Sequence, residues 1–182
     1  KHEAVTIIPV TEDSATRSSG IAPHPLCDKL QYVAGDYTDY VTKKRGEEFY
    51  NRYIQQLEGW CNSPYNNKKV NAIYTYLKKK KIISDLIEQK ILTCDDNGFL
   101  SAKVKFGQVN QSDAFIRFRV QIPNENESAV WLDTQIYESY INYYLSLQED
   151  VDLCYIKGQE IPCSEKHPAK VRNTGDKAKL IS

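Results

Sequence analysis

Arg17, Ser18, Ser19 and Gly20 place a guanidinium, two hydroxyls and a flexible backbone in four consecutive residues. Such groups suit phosphates and base edges: arginine offers a planar fork, serine donates or accepts, and glycine lets the backbone approach closely. Loops of this composition are also common where nothing binds. A second candidate is DAFIRFRVQI at 113–122, where Phe115, Arg117, Arg119 and Gln121 alternate with Ala114, Ile116, Phe118, Val120 and Ile122. Two arginines beside an aromatic on one strand face fit a sugar-phosphate backbone or stacked bases. The competing reading is an arginine pair bridged to the acidic helix that follows.

The remaining chemistry is electrostatic. Residues 64–81 hold Lys68, Lys69, Lys78, Lys79, Lys80 and Lys81 without an acid, and residues 123–152 hold seven acids without a base. The closing stretch, 166–182, is basic again through Lys166, Lys170, Arg172, Lys177 and Lys179. Segregation of this kind serves a polyanion on one face and a protein partner on another, or simply solvates two faces. Lys78 to Lys81 also sit where cations complement a helix C-terminus.

Catalytic signatures are sparse. There is no G-x-S-x-G or H-E-x-x-H, and TGDKAK at 174–179 lacks phosphate-loop spacing. His2, His24 and His167 have no evident orienting partner, and Asp133 and Glu138, five apart, read as the solvated rim of a helix. Five cysteines (27, 61, 94, 154 and 163) are irregularly spaced and read as free thiols. Cys154, Cys163 and His167 lack a C-x-x-C pair and a fourth ligand, so no metal or other cofactor is expected.

These groups need elements to position them. AVTIIPV at 4–10 reads as a strand, TEDSATRSSG as an exposed loop. Phe49, Tyr53, Leu57 and Trp60 recur at helical spacing within 42–62. After the break at Pro64, Val70, Ile73, Tyr74 and Leu77 mark a second helix, and a third short one begins near Ser84. DDNG at 95–98 is a turn, and 113–122 the clearest strand. Asp133 caps a helix bearing Ile136, Tyr137, Tyr140, Ile141, Tyr144 and Leu145, and LCYIKGQEIP is a hairpin about Lys157 and Gly158. Without a βαβ rhythm, the fold expected is α+β: a small antiparallel sheet, several packed helices and irregular basic loops.

The chain has 182 residues, 24 basic and 24 acidic side chains, and 41% hydrophobic residues, which suits a single domain over 1–182. No run approaches 18 apolar residues, so no transmembrane helix is expected. Beginning at Lys1 and containing no methionine, it reads as a piece of a longer protein.

The segments VTEDSATRSSGIAPHPLCDKLQYVAGDY (10–37), DAFIRFRV (113–120), YESYINYYLS (137–146) and LCYIKGQEIPCSEKHPAKVRNTGDKAKLIS (153–182) resemble one family over nearly the whole chain. It is the large subunit of the type I-C CRISPR effector, Cascade. The resemblance implies a bacterial cytoplasmic, non-catalytic subunit that joins a guide-RNA complex and its backbone subunits. Such a subunit inspects target double-stranded DNA for a protospacer-adjacent motif (PAM), helps open it, and presents the complex to a recruited nuclease-helicase. Phage anti-CRISPR proteins are possible further partners. Family members begin earlier and continue past the last residue here, so the chain corresponds to an N-terminal-region fragment. Arg17 to Gly20 with Asp28 and Lys29 match the motif nearest the expected PAM-facing surface, with Asn66, Asn67 and Lys68 as the fallback reader. Lys170, Arg172, Asn173, Lys177 and Lys179 match the closing motif and imply DNA or subunit contact, as Lys78 to Lys81, Arg117 and Arg119 do by charge. The alternative is an assembly module docking the large subunit onto the guide-RNA 5′ end and neighbouring subunits.

Overall fold

The computed structural model describes residues 7–17, 20–42 and 45–162. It is α+β. Among the described residues seven α-helices run α1 (Glu12–Thr16), α2 (Leu30–Val33), α3 (Tyr37–Tyr40), α4 (Gly46–Cys61), α5 (Lys68–Leu77), α6 (Ile82–Glu88) and α7 (Thr134–Ser146). Four short strands form two separate antiparallel pairs, β1 (Lys105–Phe106) with β2 (Val109–Asn110) and β3 (Val151–Cys154) with β4 (Gln159–Pro162).

Helix α4 organises the core. Its i, i+3, i+7 and i+10 positions Tyr50, Tyr53, Leu57 and Trp60 turn inward onto α2 and α5, where Leu30, Val33, Val70, Ile73 and Leu77 are buried. Each such side chain taken fully from water contributes roughly 1.5–3 kcal/mol, which is what holds helices this short in place. The tyrosines keep their hydroxyls satisfied inside. Tyr53 donates to the Leu26 carbonyl at 2.6 Å, Tyr50 to Leu77 at 2.9 Å, and Tyr37 to Ser112 at 3.1 Å. Helix α7 closes the other side, with Ile136, Tyr140 and Tyr143 buried, Tyr140 edge-on to Trp60 at 5.0 Å, and Ser139 accepting the Trp60 indole N–H at 2.9 Å.

Caps set several boundaries. Asp133 receives the Gln135 amide and begins α7, as the sequence predicts, and Asn67 does the same for α5 through Lys69. Helix α6 starts at Ile82, two residues before the expected Ser84, and has no cap of its own; the Asp36 carboxylate reaches across to accept from Ile83 and Ser84, both at 3.0 Å. The 153–162 hairpin is found, with Gly158 at φ 64 donating back to Cys154 at 2.7 Å.

Three local expectations change. The stretch TEDSATRSSG is not simply a loop: Thr11 and Ser14 form a reciprocal capping box that starts α1. The strand expected over 4–10 falls partly outside the described residues, and 7–10 is irregular. Residues 114–122 keep the predicted alternation of half-buried even and exposed odd positions, but 113–122 does not join a regular sheet. Ala114 and Ile116 bond to residues 28–30, and Phe118 and Val120 to residues 128–130, leaving only isolated bridges at Lys29–Phe115 and Arg119–Ala129. All these bonds use even-numbered residues, so two short partners share one edge and neither is long enough to make a ladder.

Candidate nucleic-acid interface

The outward face of 113–119 is built from both of its short partners. Antiparallel bridging places directly opposed side chains on the same face, so exposed Lys29 stands beside exposed Phe115. The Arg119–Ala129 bridge sets Arg117 opposite Trp131, and both guanidinium carbons lie over the indole, 4.5 Å from its centroid for Arg117 and 5.0 Å for Arg119. Trp131 is thereby covered while both arginines stay exposed. Arg119 also donates to Ser128 Oγ at 3.2 Å. The indole holds the two planar cations in place, which removes part of the rotamer entropy a ligand would otherwise have to freeze.

Beside Phe115 and Lys29 opens an apolar recess of about 570 Å³. Phe106 and Val109 of the β1–β2 hairpin line it together with Ile91 and Leu86, and Asp113 stands at the same recess.

Arg17 and Asp28 come together, but inside. Arg17 Nη1 and Nη2 donate to the two Asp28 oxygens at 2.8 and 2.7 Å, and Nη1 also reaches the Ala22 carbonyl at 2.8 Å. The guanidinium lies 4.7 Å from the Tyr32 ring centroid. Asp28 is 0% exposed and further accepts the His24 and Lys29 amides, both at 2.7 Å. Asp28 therefore acts on the loop from within, and Arg17 anchors it. Burial favours loss of the Arg17 proton, yet the hydrogen bond and charge of Asp28 outweigh it and raise the pKa. His24, alongside, is pushed below its usual pKa by burial and then by the Arg17 charge, and its buried Nδ1 has no hydrogen-bond partner. Gly20 is exposed at φ 89, the left-handed region glycine favours; Ser18 and Ser19 lie outside the described residues.

Asn66 and Asn67 serve the entry to α5. The Asn66 amide donates to Ser63 at 3.1 Å and the Asn67 side chain caps the helix, leaving Lys68 exposed at its first position. Lys78 to Lys81 occupy the other end, about 15 Å away by helical rise, and all four are exposed. Lys78 and Lys80 lie over the rings of Tyr74 and Tyr50, at 5.1 and 5.4 Å. The sixth cation of this stretch is not on the surface. Lys69 is buried, and its Nζ meets Asp133 Oδ2 at 2.5 Å, the Glu127 carbonyl at 2.7 Å and Glu125 at 2.9 Å. Burial works against its charge, but hydrogen bonds to Asp133 and Glu125 prevail and raise its pKa. Part of the charge segregation seen along the chain is thus internal pairing. Lys170, Arg172, Asn173, Lys177 and Lys179 lie outside the described residues, as do Cys163 and His167.

Sequence spacing finds Arg117, Arg119 and Phe115 but not Trp131, because nothing local reveals that 128–131 folds back on 117–120. Among the described residues no group of three or more His, Cys, Asp or Glu side chains is arranged to hold a metal ion, and no helix is long and apolar enough to cross a membrane. Cys27, Cys61, Cys94 and Cys154 are free thiols, with burial pushing Cys27 and Cys61 up to about 11.

The exposed arginines, the lysine and the phenylalanine thus form one basic, aromatic face on a small α+β scaffold. The family model described as CRISPR-associated protein (Cas_Csd1) matches residues 1–182, so the chain belongs to the Csd1 family of CRISPR-associated proteins. No curated protein and no solved structure shows significant similarity.

Proposed function

We propose that this chain is the DNA-handling part of the large subunit of a type I-C CRISPR surveillance complex in the bacterial cytoplasm, without catalytic activity of its own. The observation that carries the reading is the outward row of Lys29, Arg117 and Arg119 with Phe115, the two arginines seated on buried Trp131, in a chain whose family is CRISPR-associated. Guide pairing reads target sequence in such systems, and protein reads the short flanking motif. The proposed PAM reader is the loop 17–20 with Lys29: Arg17 anchors it on Asp28, and Ser18, Ser19 and Gly20 with the Lys29 ammonium supply its donors. Lys78 to Lys81 grip duplex phosphates without reading bases. Partners under this reading are target double-stranded DNA, the guide-RNA complex with its backbone subunits, a recruited nuclease-helicase and phage inhibitor proteins.

The test is affinity of the assembled complex for matched and scrambled PAM targets at fixed salt. Lys29→Ala should weaken the matched target by roughly 1–3 kcal/mol and the scrambled one much less. Equal losses on both would reduce Lys29 to a phosphate contact, and no loss on either would move the reader to Asn66, Asn67 and Lys68. The purified chain should cut neither DNA nor RNA with magnesium, manganese or zinc; metal-dependent cleavage abolished by a point mutation would refute the non-catalytic assignment.

In a second reading, assembly onto the guide-RNA 5′ end and a neighbouring subunit, the β3–β4 hairpin favours the contact with the subunit. Its tip bears Tyr155 and Ile156, 94% and 96% exposed, and Glu149, Asp150, Asp152 and Glu160 flank it. Apolar side chains displayed this openly, ringed by acids that repel phosphates, suit a basic protein surface. Tyr155→Ser with Ile156→Ser should then abolish incorporation into the complex while leaving DNA binding by the chain intact.

A further inference from the structure

The row of exposed odd residues on 115–119 and the recess beside it lie next to one another, and Phe115 belongs to both. We infer that this face takes a single-stranded nucleic acid: Arg117, Arg119 and Lys29 hold its backbone, and one unstacked base sits in the apolar recess against Phe115. The inference deepens the nucleic-acid reading above and rests on it.

Spacing is the first support. Side chains two residues apart on an extended segment stand about 6.5 Å from one another. Winding about the axis stretches the roughly 3.4 Å axial step of a duplex strand to a similar phosphate-to-phosphate distance, so the row suits a nucleic-acid backbone of either kind, and the ring and recess decide for the single strand. Side-chain chemistry is the second. Arginine faces and a phenylalanine ring are surfaces on which any base can stack, whereas a duplex offers its base faces to nobody. Space is the third. The recess holds about 570 Å³, ample for a nucleobase, and Leu86, Ile91, Phe106, Val109 and Phe115 give it apolar walls. Four of its residues are unusually open for their type: Ile91, Phe106, Val109 and Phe115 are 51%, 44%, 46% and 44% exposed. A base entering there covers apolar surface, while Lys29 at the rim meets its phosphate.

The probes are a fluorescent twelve-nucleotide oligothymidine, the same oligomer carrying one 2-aminopurine, and a twelve-base-pair duplex. Each is titrated against the full chain at fixed salt. Phe115→Ala and Val109→Glu alter exposed positions, and circular dichroism with a melting curve confirms that each variant folds. Each should weaken oligothymidine binding by roughly fivefold to a hundredfold, the range for one stacked base, with duplex affinity unchanged. Arg117→Lys with Arg119→Lys keeps the charge and removes the planar faces; it should also weaken the single strand selectively. The 2-aminopurine signal should be quenched by the wild-type chain and not by Phe115→Ala. Duplex binding with no single-strand binding would overturn the inference and leave the nucleic-acid reading standing. Equal losses on both probes would do the same, by making the row a plain phosphate grip. Failure of the wild-type chain and of the assembled complex to bind either probe would overturn both, and competition by an acidic peptide with no nucleic-acid binding would make the face a protein site.

Discussion

Arg17→Ala separates an anchor from a reader. The Asp28 carboxylate is wholly buried and takes four N–H donors, two from Arg17 and one each from the His24 and Lys29 amides. Removing the guanidinium deletes the countercharge and half of those donors, together with the bond to Ala22 and the contact with Tyr32. Breaking a buried ion pair from one side costs about 3–5 kcal/mol, because the remaining charge stays out of water. The Arg17 side chain is 18% exposed, so water entering the gap brings the loss towards the lower end of that range. In a chain of this size each kcal/mol moves the melting temperature by roughly 2–4 °C, which gives a fall of about 6–20 °C. Urea denaturation should show the midpoint falling at constant slope. The double variant Arg17→Ala with Asp28→Ala should cost less than the two single changes added together, since neither charge is then left alone. A single variant melting within about 2 °C of wild type, or strict additivity, would refute the anchoring role.

Replacing Lys78 to Lys81 with glutamine should flatten the salt dependence of duplex binding by up to about four units of log–log slope, whatever the DNA sequence; an unchanged slope would leave only the helix-end role. Lys69→Ala should cost about 3–5 kcal/mol in urea denaturation by stranding Asp133 and Glu125, and a cost below about 1 kcal/mol would show that water replaces the ammonium. His24 faces Arg17 and Asp28, and its folded pKa is depressed, so the unfolded chain binds the proton more readily. Its contribution to stability is therefore complete above roughly pH 6.5 and is lost on acidification, and His24→Gln should flatten the melting-temperature profile between about pH 7.5 and 5. Superimposable profiles would rule that out.

Helices α4, α5 and α7 are legible in the sequence because each buries a stripe of period 3.6 and two of them carry an asparagine or aspartate cap. The turn at Gly158 is legible for the same local reason. What escaped was everything settled at a distance. Asp36 starting α6, Lys69 neutralising Asp133 from 64 residues away, and Trp131 folding beneath Arg117 depend on tertiary approach. The alternation at 113–122 correctly sorts inward from outward side chains, yet period alone cannot say whether a partner strand exists. At the candidate site, residue types pointed to Arg17 and Arg119 alike; only burial distinguishes the arginine that braces a loop from the one that faces solvent.

Lys68 and Lys69, adjacent in sequence, differ completely as amines: one is exposed at the start of α5, the other is sealed between Asp133, Glu125 and the Glu127 carbonyl. An acylating reagent needs the free, unprotonated nitrogen, which the ion cluster denies to Lys69 for as long as α7 keeps its first turn against α5. The pair is thus a built-in footprinting reporter. Labelling at Lys68 gauges reagent and exposure time, and labelling at Lys69, read in the same peptide by mass spectrometry, counts openings of that one seam. Following its ratio through assembly would show whether incorporation into a larger complex tightens the α5–α7 seam or pries it apart.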